Sequence, residues 1–330
     1  MKFSGISARA ALRCFAGAAA AALLALAGCG GGDQIDPFRP NRILAFGDEA
    51  SVIVPNGTSQ GLKYTINSFA APASSAENPN PPAVAVCTSN PLWIQSVASA
   101  FGLVFDECKG SAATSSGKIL ATVSAKSTDI ATQIDNFLAT SNGGFTDKDV
   151  VTLMAGQNDV LEQYALYPAT PEATIMDNLR VRAKALAEQA NRIAVAGPAV
   201  IVVRIPDVGL TPFARAQETA NPGRAALLSR MTLEFNTALQ LNLINDGHLI
   251  GLVFGDTAIQ NLTNFSTGLN VTAAACTAPA TADLLGCTTA NLATGISSTS
   301  HLWAGSTMLS PVGQSSIGSL AANRAISNPF

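Results

Sequence analysis

Two short stretches of this chain gather groups that can do chemistry. Residues 43–51 read Ile-Leu-Ala-Phe-Gly-Asp-Glu-Ala-Ser. An apolar run stops at Gly47, and two carboxylates, Asp48 and Glu49, and a hydroxyl, Ser51, follow. Residues 150–159, Val-Val-Thr-Leu-Met-Ala-Gly-Gln-Asn-Asp, repeat the arrangement with Gly156, Asn158 and Asp159. A pair of carboxylates can share acid and base or nucleophilic work, as in glycoside hydrolysis. Glu49 is then the candidate nucleophile or base, with Asp48 or Asp159 as its partner. The bland reading gives both aspartates to backbone N–H groups around tight turns. The chain has two histidines, His248 and His301. Without Cys-x-x-Cys spacing they are too few for a zinc site, and a Glu-plus-Asp cation site lacks a third clustered acid. No metal and no cofactor is expected.

The elements that carry these groups alternate. Nearly continuous apolar runs at 42–46, 149–155, 199–205 and 249–254 predict parallel strands buried on both faces. Between them, Ile175, Leu179, Leu186 and Ile193 recur at helical spacing, with Ala183 and Ala190 on the same stripe. This predicts a helix over 174–196, capped by Thr174 and stopped by Gly197-Pro198. Asn221-Pro222 predicts the start of another helix, running to about Asn245. Met231, Phe235, Ala238 and Asn242 share one of its faces. Residues 91–102, 127–140 and 310–326 complete the set. The pattern predicts an α/β fold, a three-layer α/β/α sandwich around a doubly wound parallel sheet of flavodoxin-like type. Ligands of such sheets bind beyond the carboxyl ends of the strands, where Glu49 and Asn158 fall. Residues 70–85 and 265–300 fit no element and read as surface insertions.

Gly47-Asp48-Glu49-Ala50-Ser51 resembles the opening block of the GDSL, or SGNH, hydrolase family, in which Gly-Asp-Ser-x-Ser carries the nucleophile. Glu49 stands in place of that serine. Gly156-Gln157-Asn158-Asp159 resembles the family's Gly-x-Asn-Asp block, and Cys108 to Thr114 the block that supplies an oxyanion-hole glycine. The resemblance implies that the Gly110 N–H and the Asn158 amide are oxyanion donors. Phe235 to Leu239 also resembles a helix common in the family. The family's last block, Asp-x-x-His before a Ser-Pro-x-Gly helix start, aligns with Gly305 and Met308 ahead of Ser310-Pro311-Val312-Gly313. The resemblance thus implies the three-layer fold with all three catalytic positions replaced. It also implies a ligand class of acyl esters or acetylated glycans. A shifted loop would be needed to bring His301 to the site. His248 is expected at the surface, at the wrong end of the sheet. Ser51 reads as a cap or first-turn hydroxyl and Trp93 as core, and Trp303 lines a pocket or covers the sheet end. Glu49 is expected to lay its carboxylate against the Gly110 and Asn158 donors and fill the hole itself.

The first 28 residues read as an export signal, with Lys2, Arg9 and Arg13 ahead of an apolar stretch too short to span a bilayer. It ends Leu26-Ala27-Gly28-Cys29, which resembles a bacterial lipobox and implies a lipid on Cys29. Residues 29–40 are then a tether and 41–330 the hydrolase-like domain. A bacterial envelope location, weakly favouring the outer membrane, and a membrane partner through Cys29 follow as expectations. Loss of the three basic residues takes the net charge from −3 to −6, and nothing basic suggests nucleic acid. Cys87, Cys108, Cys276 and Cys287 form an even set suited to disulfides in an oxidising compartment. Three pairings are open, and the local pairs Cys87–Cys108 and Cys276–Cys287 are favoured. Three functions stay in play: a degenerate ester hydrolase that binds its ligand in a retained cleft, an active hydrolase rebuilt around Glu49 and His301, and a structural envelope lipoprotein.

Overall fold

The computed structural model describes residues 37–330, apart from 72–73, 75–77, 79–82, 112–113, 278–283 and 328–330. The expected export signal and Cys29 lie outside the described residues. Five parallel strands form the central sheet: β1 (Arg42–Gly47), β2 (Gly117–Ile119), β3 (Asp149–Met154), β4 (Ala199–Val203) and β5 (Ile250–Val253), in the order β2-β1-β3-β4-β5. Every residue of β3 and β4 is buried, as strands covered on both faces must be. The order reverses direction between β1 and β3, which makes the carboxyl ends of those strands the switch point where doubly wound sheets bind ligands.

Helices cover both faces. In chain order they are α1 (Trp93–Ala100), α2 (Asp129–Thr140), α3 (Gln157–Ala165), α4 (Glu172–Val195), α5 (Pro212–Ala220), α6 (Arg224–Asn242), α7 (Gly255–Phe265) and α8 (Pro311–Ile326). α4 packs on α6, and α1 on α8. The apolar stripe read from the sequence is the buried face of α4: Ile175, Leu179, Ala183, Leu186, Ala190 and Ile193 are at most 1% exposed. Two helix starts differ from expectation. α4 begins at Glu172, behind Pro171, so Thr174 lies inside the first turn and caps nothing. Asn221 ends α5, and α6 starts only at Arg224, after Gly223. The cause is the unexpected helix α5, which has its own cap: the Thr211 side chain accepts the Ala214 N–H, and Pro212 fills the first turn.

The described parts of the two regions read as surface insertions carry paired strands and are here called the cap. Phe69–Ala70 pairs with Val84–Ala85, and strand Asn270–Ala274 pairs in parallel with His301–Trp303. The segment just ahead of the first region meets the second: the Asn67 N–H donates to the Cys287 carbonyl at 2.8 Å, and the Thr289 N–H to the Asn67 carbonyl at 2.8 Å. The two local disulfides, Cys87–Cys108 and Cys276–Cys287, are both present. The first closes a loop spanning 21 residues, a constraint on the unfolded chain of about 3 kcal/mol.

One buried cation holds the cap base. Lys63 is 1% exposed, and its Nζ donates to the carbonyls of Cys87, Ser89 and Asn90 at 2.7, 2.7 and 2.9 Å. Three acceptors match the three donors of an ammonium. No carboxylate shares the site, and burial pushes the pKa down to about 7. In the unfolded chain the amine returns toward 10.5. The unfolded state therefore holds the extra proton between those values, and stability rises as the pH is raised through them. The urea midpoint of the protein is expected to climb between pH 7 and pH 9.5, and that of Lys63→Met to climb less. Parallel curves would refute a titrating Lys63.

Candidate active site

Glu49 lies in a single 3-10 turn, Glu49–Ser51, directly after β1. Two glycines shape this end of the sheet. Gly47 has φ +135°, and a Cβ there would stand 2.1 Å from the Met154 carbonyl oxygen. The close approach of β1 to β3 admits no side chain. The Gly47 N–H and C=O are both held by the buried Gln133 amide, at 3.0 and 2.8 Å. Gly156, φ +129°, does the same after β3, where a Cβ would meet the Phe235 ring at 2.3 Å.

The acids around this turn have separate jobs. Asp48 caps it, accepting the Ala50 N–H at 3.1 Å. Burial holds the Asp48 carboxyl well above the usual carboxylate range, the Glu49 charge adds to the rise, and the Ala50 bond opposes it. Asp159 accepts the Ser127 N–H at 2.8 Å and the Ser127 hydroxyl at 3.0 Å, and pairs with Arg182 at 3.2 Å. Burial raises its pKa too, against those bonds. Neither aspartate bonds Glu49. The arrangement is that of turn-holding acids and not of a catalytic carboxylate pair.

The Glu49 carboxylate faces two donors. Its Oε2 accepts the Ser124 N–H at 2.8 Å and the Asn158 side-chain amide at 3.0 Å. Asn158 also donates to the Ala125 carbonyl at 3.1 Å, which fixes the amide. Convergent N–H groups of this kind stabilise an oxyanion when one forms. Here they hold the chain's own carboxylate. Gly110, expected as the backbone donor, is not part of this group: its N–H donates to the Ser59 carbonyl at 3.1 Å. Gly110 precedes β2, whereas the donor that meets Glu49 comes from the loop after the carboxyl end of β2. Ser124 has φ +62°, a conformation that favours glycine. That strain is not legible in the sequence, because β2 has three residues and gives no strand signal to place the loop.

Ser51 is fully buried and its hydroxyl accepts the Trp93 indole N–H at 3.2 Å. Trp93 is core, as expected. Trp303 is core as well, 0% exposed with its indole N–H on the Val271 carbonyl at 3.1 Å. It is packed in the main hydrophobic core. His248 is exposed and lies two residues ahead of β5, at the strand's amino end.

Met308 and Gly305, the places that the resemblance gives to the base and its orienting acid, belong to the cap. Met308 packs in a second apolar cluster with Ile66, Ala275, Cys276, Leu284, Cys287 and Ala304. A Cβ on Gly305 would meet the Leu284 side chain at 2.9 Å. The Thr65 hydroxyl donates to the Leu309 carbonyl at 2.9 Å, tying this tail to the cap base. His301 stays in its strand, with Nδ1 2.8 Å from the Ser300 hydroxyl; burial lowers its pKa. Its ring bonds Ser300 and not Glu49. Among the described residues no cluster of His, Cys, Asp and Glu could hold a metal ion. Between Met308 and the motif turn a cavity of about 20 Å³ remains.

Removal of the Glu49 carboxylate leaves two donors to water and to each other's neighbours. The site is partly exposed, which discounts the charge. Glu49→Ala is expected to lose about 1 kcal/mol of stability, read from the urea midpoint. An equal or higher midpoint would mean that the two bonds contribute nothing.

A family model described as GDSL-like Lipase/Acylhydrolase matches residues 54–247. The match covers the sheet from before α1 to the threshold of β5, and leaves out both the Glu49 turn and the 301–313 tail. Among solved structures, a lipolytic protein of the G-D-S-L family from Veillonella parvula is 13% identical, with 86% of this chain and 95% of that chain covered and a TM-score of 0.40. An acetylxylan esterase from Geobacillus stearothermophilus is 11% identical, with 88% and 97% covered and a TM-score of 0.42. No curated protein matches. With more than half its length under the family model, the chain belongs to the GDSL-like lipase/acylhydrolase family.

Proposed function

We propose that this protein is a pseudoenzyme of its family: a GDSL-type hydrolase domain that no longer turns over esters. One observation carries the reading. The Glu49 carboxylate already occupies the Ser124 and Asn158 donors that a tetrahedral intermediate would need. A carboxylate there is both the loss of the nucleophilic hydroxyl and an internal occupant of the hole. Met308, packed in the cap, supports the same conclusion, because a thioether cannot take a proton from a nucleophile.

The ligand class proposed is that of the family, an acyl ester or an acetylated glycan, held without hydrolysis. The cavity behind the motif, about 20 Å³, offers little more than the roughly 10–15 Å³ that one water needs when counted by its centre, which is too little for an acetyl group. An approaching ligand would meet Glu49 from the outer side, beside the exposed Val123. The active-hydrolase alternative needs His301 at Glu49, and the His301–Ser300 bond favours it in no way. An anchor through lipidated Cys29 at the bacterial envelope completes the proposal.

The experiment is hydrolysis of short-chain p-nitrophenyl esters by the soluble domain, comparing the natural sequence with Glu49→Ala, His301→Ala and Glu49→Ser. No turnover above blank is expected from any of them; Glu49→Ser fails because it has a hydroxyl and no base. Turnover lost in Glu49→Ala or His301→Ala would replace the pseudoenzyme with a rebuilt hydrolase. For the anchor, metabolic labelling with a radioactive fatty acid is expected to mark the full chain and to leave Cys29→Ala unmarked. Label persisting in Cys29→Ala would end that part of the proposal.

A further inference from the structure

An open cleft of about 380 Å³ lies where three connections meet: the chain after α3, the start of α4 and the link from α5 to α6. Tyr167, Glu172, Asn221, Arg224 and Arg230 line it, and most of its wall is polar. Its volume is in the range of small-molecule sites. Its charges are unevenly matched. Glu172 holds Arg230 by a two-pronged pair, both bonds at 3.0 Å. Among the described residues no carboxylate forms an ion pair with Arg224. Glu218, close in sequence, is committed to the Gly223 and Ala225 N–H groups, both at 2.9 Å. Arg224 is also the first residue of α6, where a helix favours negative charge and opposes a cation. Two aromatic rings hold the guanidinium there. It lies over the Tyr167 ring, 4.4 Å from its centre, and 5.8 Å from that of Tyr164. The Tyr164 hydroxyl is fixed in turn on Gln217 Oε1 at 3.1 Å. Ring faces attract the cation and leave the N–H fork at its edge to an acceptor in the same plane.

We propose that this cleft is a binding site for the carboxylate group of a small polar ligand, with Arg224 as its two-pronged donor. A guanidinium matches a planar carboxylate edge to edge. The charges that line the cleft are two arginines and one glutamate, so a single positive charge is left over. A monoanion balances it and a dianion overshoots it. Asn221, exposed beside Arg224, offers an amide to the rest of the ligand. Asn158 and Tyr164 are six residues apart on α3, about 9 Å along its axis, so the cleft lies outside the Glu49 turn. The site asks nothing of Glu49, and the inference is independent of whether the protein hydrolyses or binds an ester.

The test titrates full-length ¹⁵N-labelled protein with glucuronate at constant ionic strength, with glucose and inorganic phosphate in parallel, and follows the Arg224 Nε–H signal. Glucuronate is expected to move that signal to saturation, and glucose to leave it in place. Arg224→Gln should weaken glucuronate binding roughly tenfold or more by calorimetry, as loss of a charge-assisted pair implies. Arg224→Lys keeps the charge without the fork and should also bind more weakly than the natural sequence. Tyr167→Leu keeps the charge and removes the ring, and should weaken binding roughly twofold to fivefold. The absence of a saturable shift overturns the proposal; it is read on the natural sequence and depends on no variant. Equal affinity for glucose would remove the role of the carboxylate, and tighter binding of phosphate would overturn the choice of a monoanion. Unchanged affinity in Arg224→Gln would overturn the assignment of the donor.

Discussion

A carboxylate shared by the segments that follow three neighbouring strands organises the upper face of this molecule. Glu49 follows β1, Ser124 follows β2 and Asn158 follows β3, and Glu49 Oε2 receives N–H groups from both others. These are adjacent strands of the sheet, so one side chain ties together the strand ends around the switch point. The bond is possible because β1 and β3 come close enough for Gly47 to lie against the Met154 carbonyl, and because Asn158 is pinned in turn by the Ala125 carbonyl. A charged acceptor makes a stronger partner for such donors than a neutral hydroxyl does. The carboxylate thus joins the three segments through donors of the kind that can stabilise a transient charge.

The cap completes the change. Its apolar cluster is small, and Met308 is part of it along with both cysteines of the Cys276–Cys287 bridge. The residues at the positions of base and orienting acid are therefore packing residues. A polar side chain at 308 would be buried among apolar neighbours, and any side chain at 305 must displace Leu284. Glu49 in the motif turn and Met308 in the cap are thus physically compatible parts of one arrangement. Lys63, the Cys87–Cys108 bridge and the Asn67 contacts anchor that cap at its base.

Much of the fold was legible because its signals are local. Continuous apolar runs marked β1, β3, β4 and β5, and the stripe from Ile175 to Ile193 marked the buried face of α4. Gly47 and Gly156 marked the two turns at the switch point, and Asn158 was found from its block. What escaped depends on length or on distance in sequence. β2 has three residues, too few for periodicity, so the loop bearing Ser124 had no address and its role was assigned to Gly110. The helix α5 was not anticipated, although Thr211-Pro212 has the cap-and-proline signature of a helix start. The cap escaped because its bonds join residues some 220 positions apart, as with Asn67 and Cys287; no composition or spacing rule reports such a contact. The separate duties of Asp48 and Asp159 likewise depend on which backbone N–H lies nearby, a fact of packing.

The packing of Gly305 and Met308 also bears on how these positions can change. Mutations at contacting positions do not add independently, and positions 49, 305 and 308 sit in two environments that each favour the present residue. A serine at 49 alone surrenders a joint and gains no chemistry. A histidine at 308 alone buries an imidazole in the cap with no hydroxyl to serve. An aspartate at 305 alone strains Leu284. Each such single change gives up packing or a hydrogen bond that the present residue supplies, so the residues at 49, 305 and 308 are held in place by stability alone, whatever chemistry this surface performs.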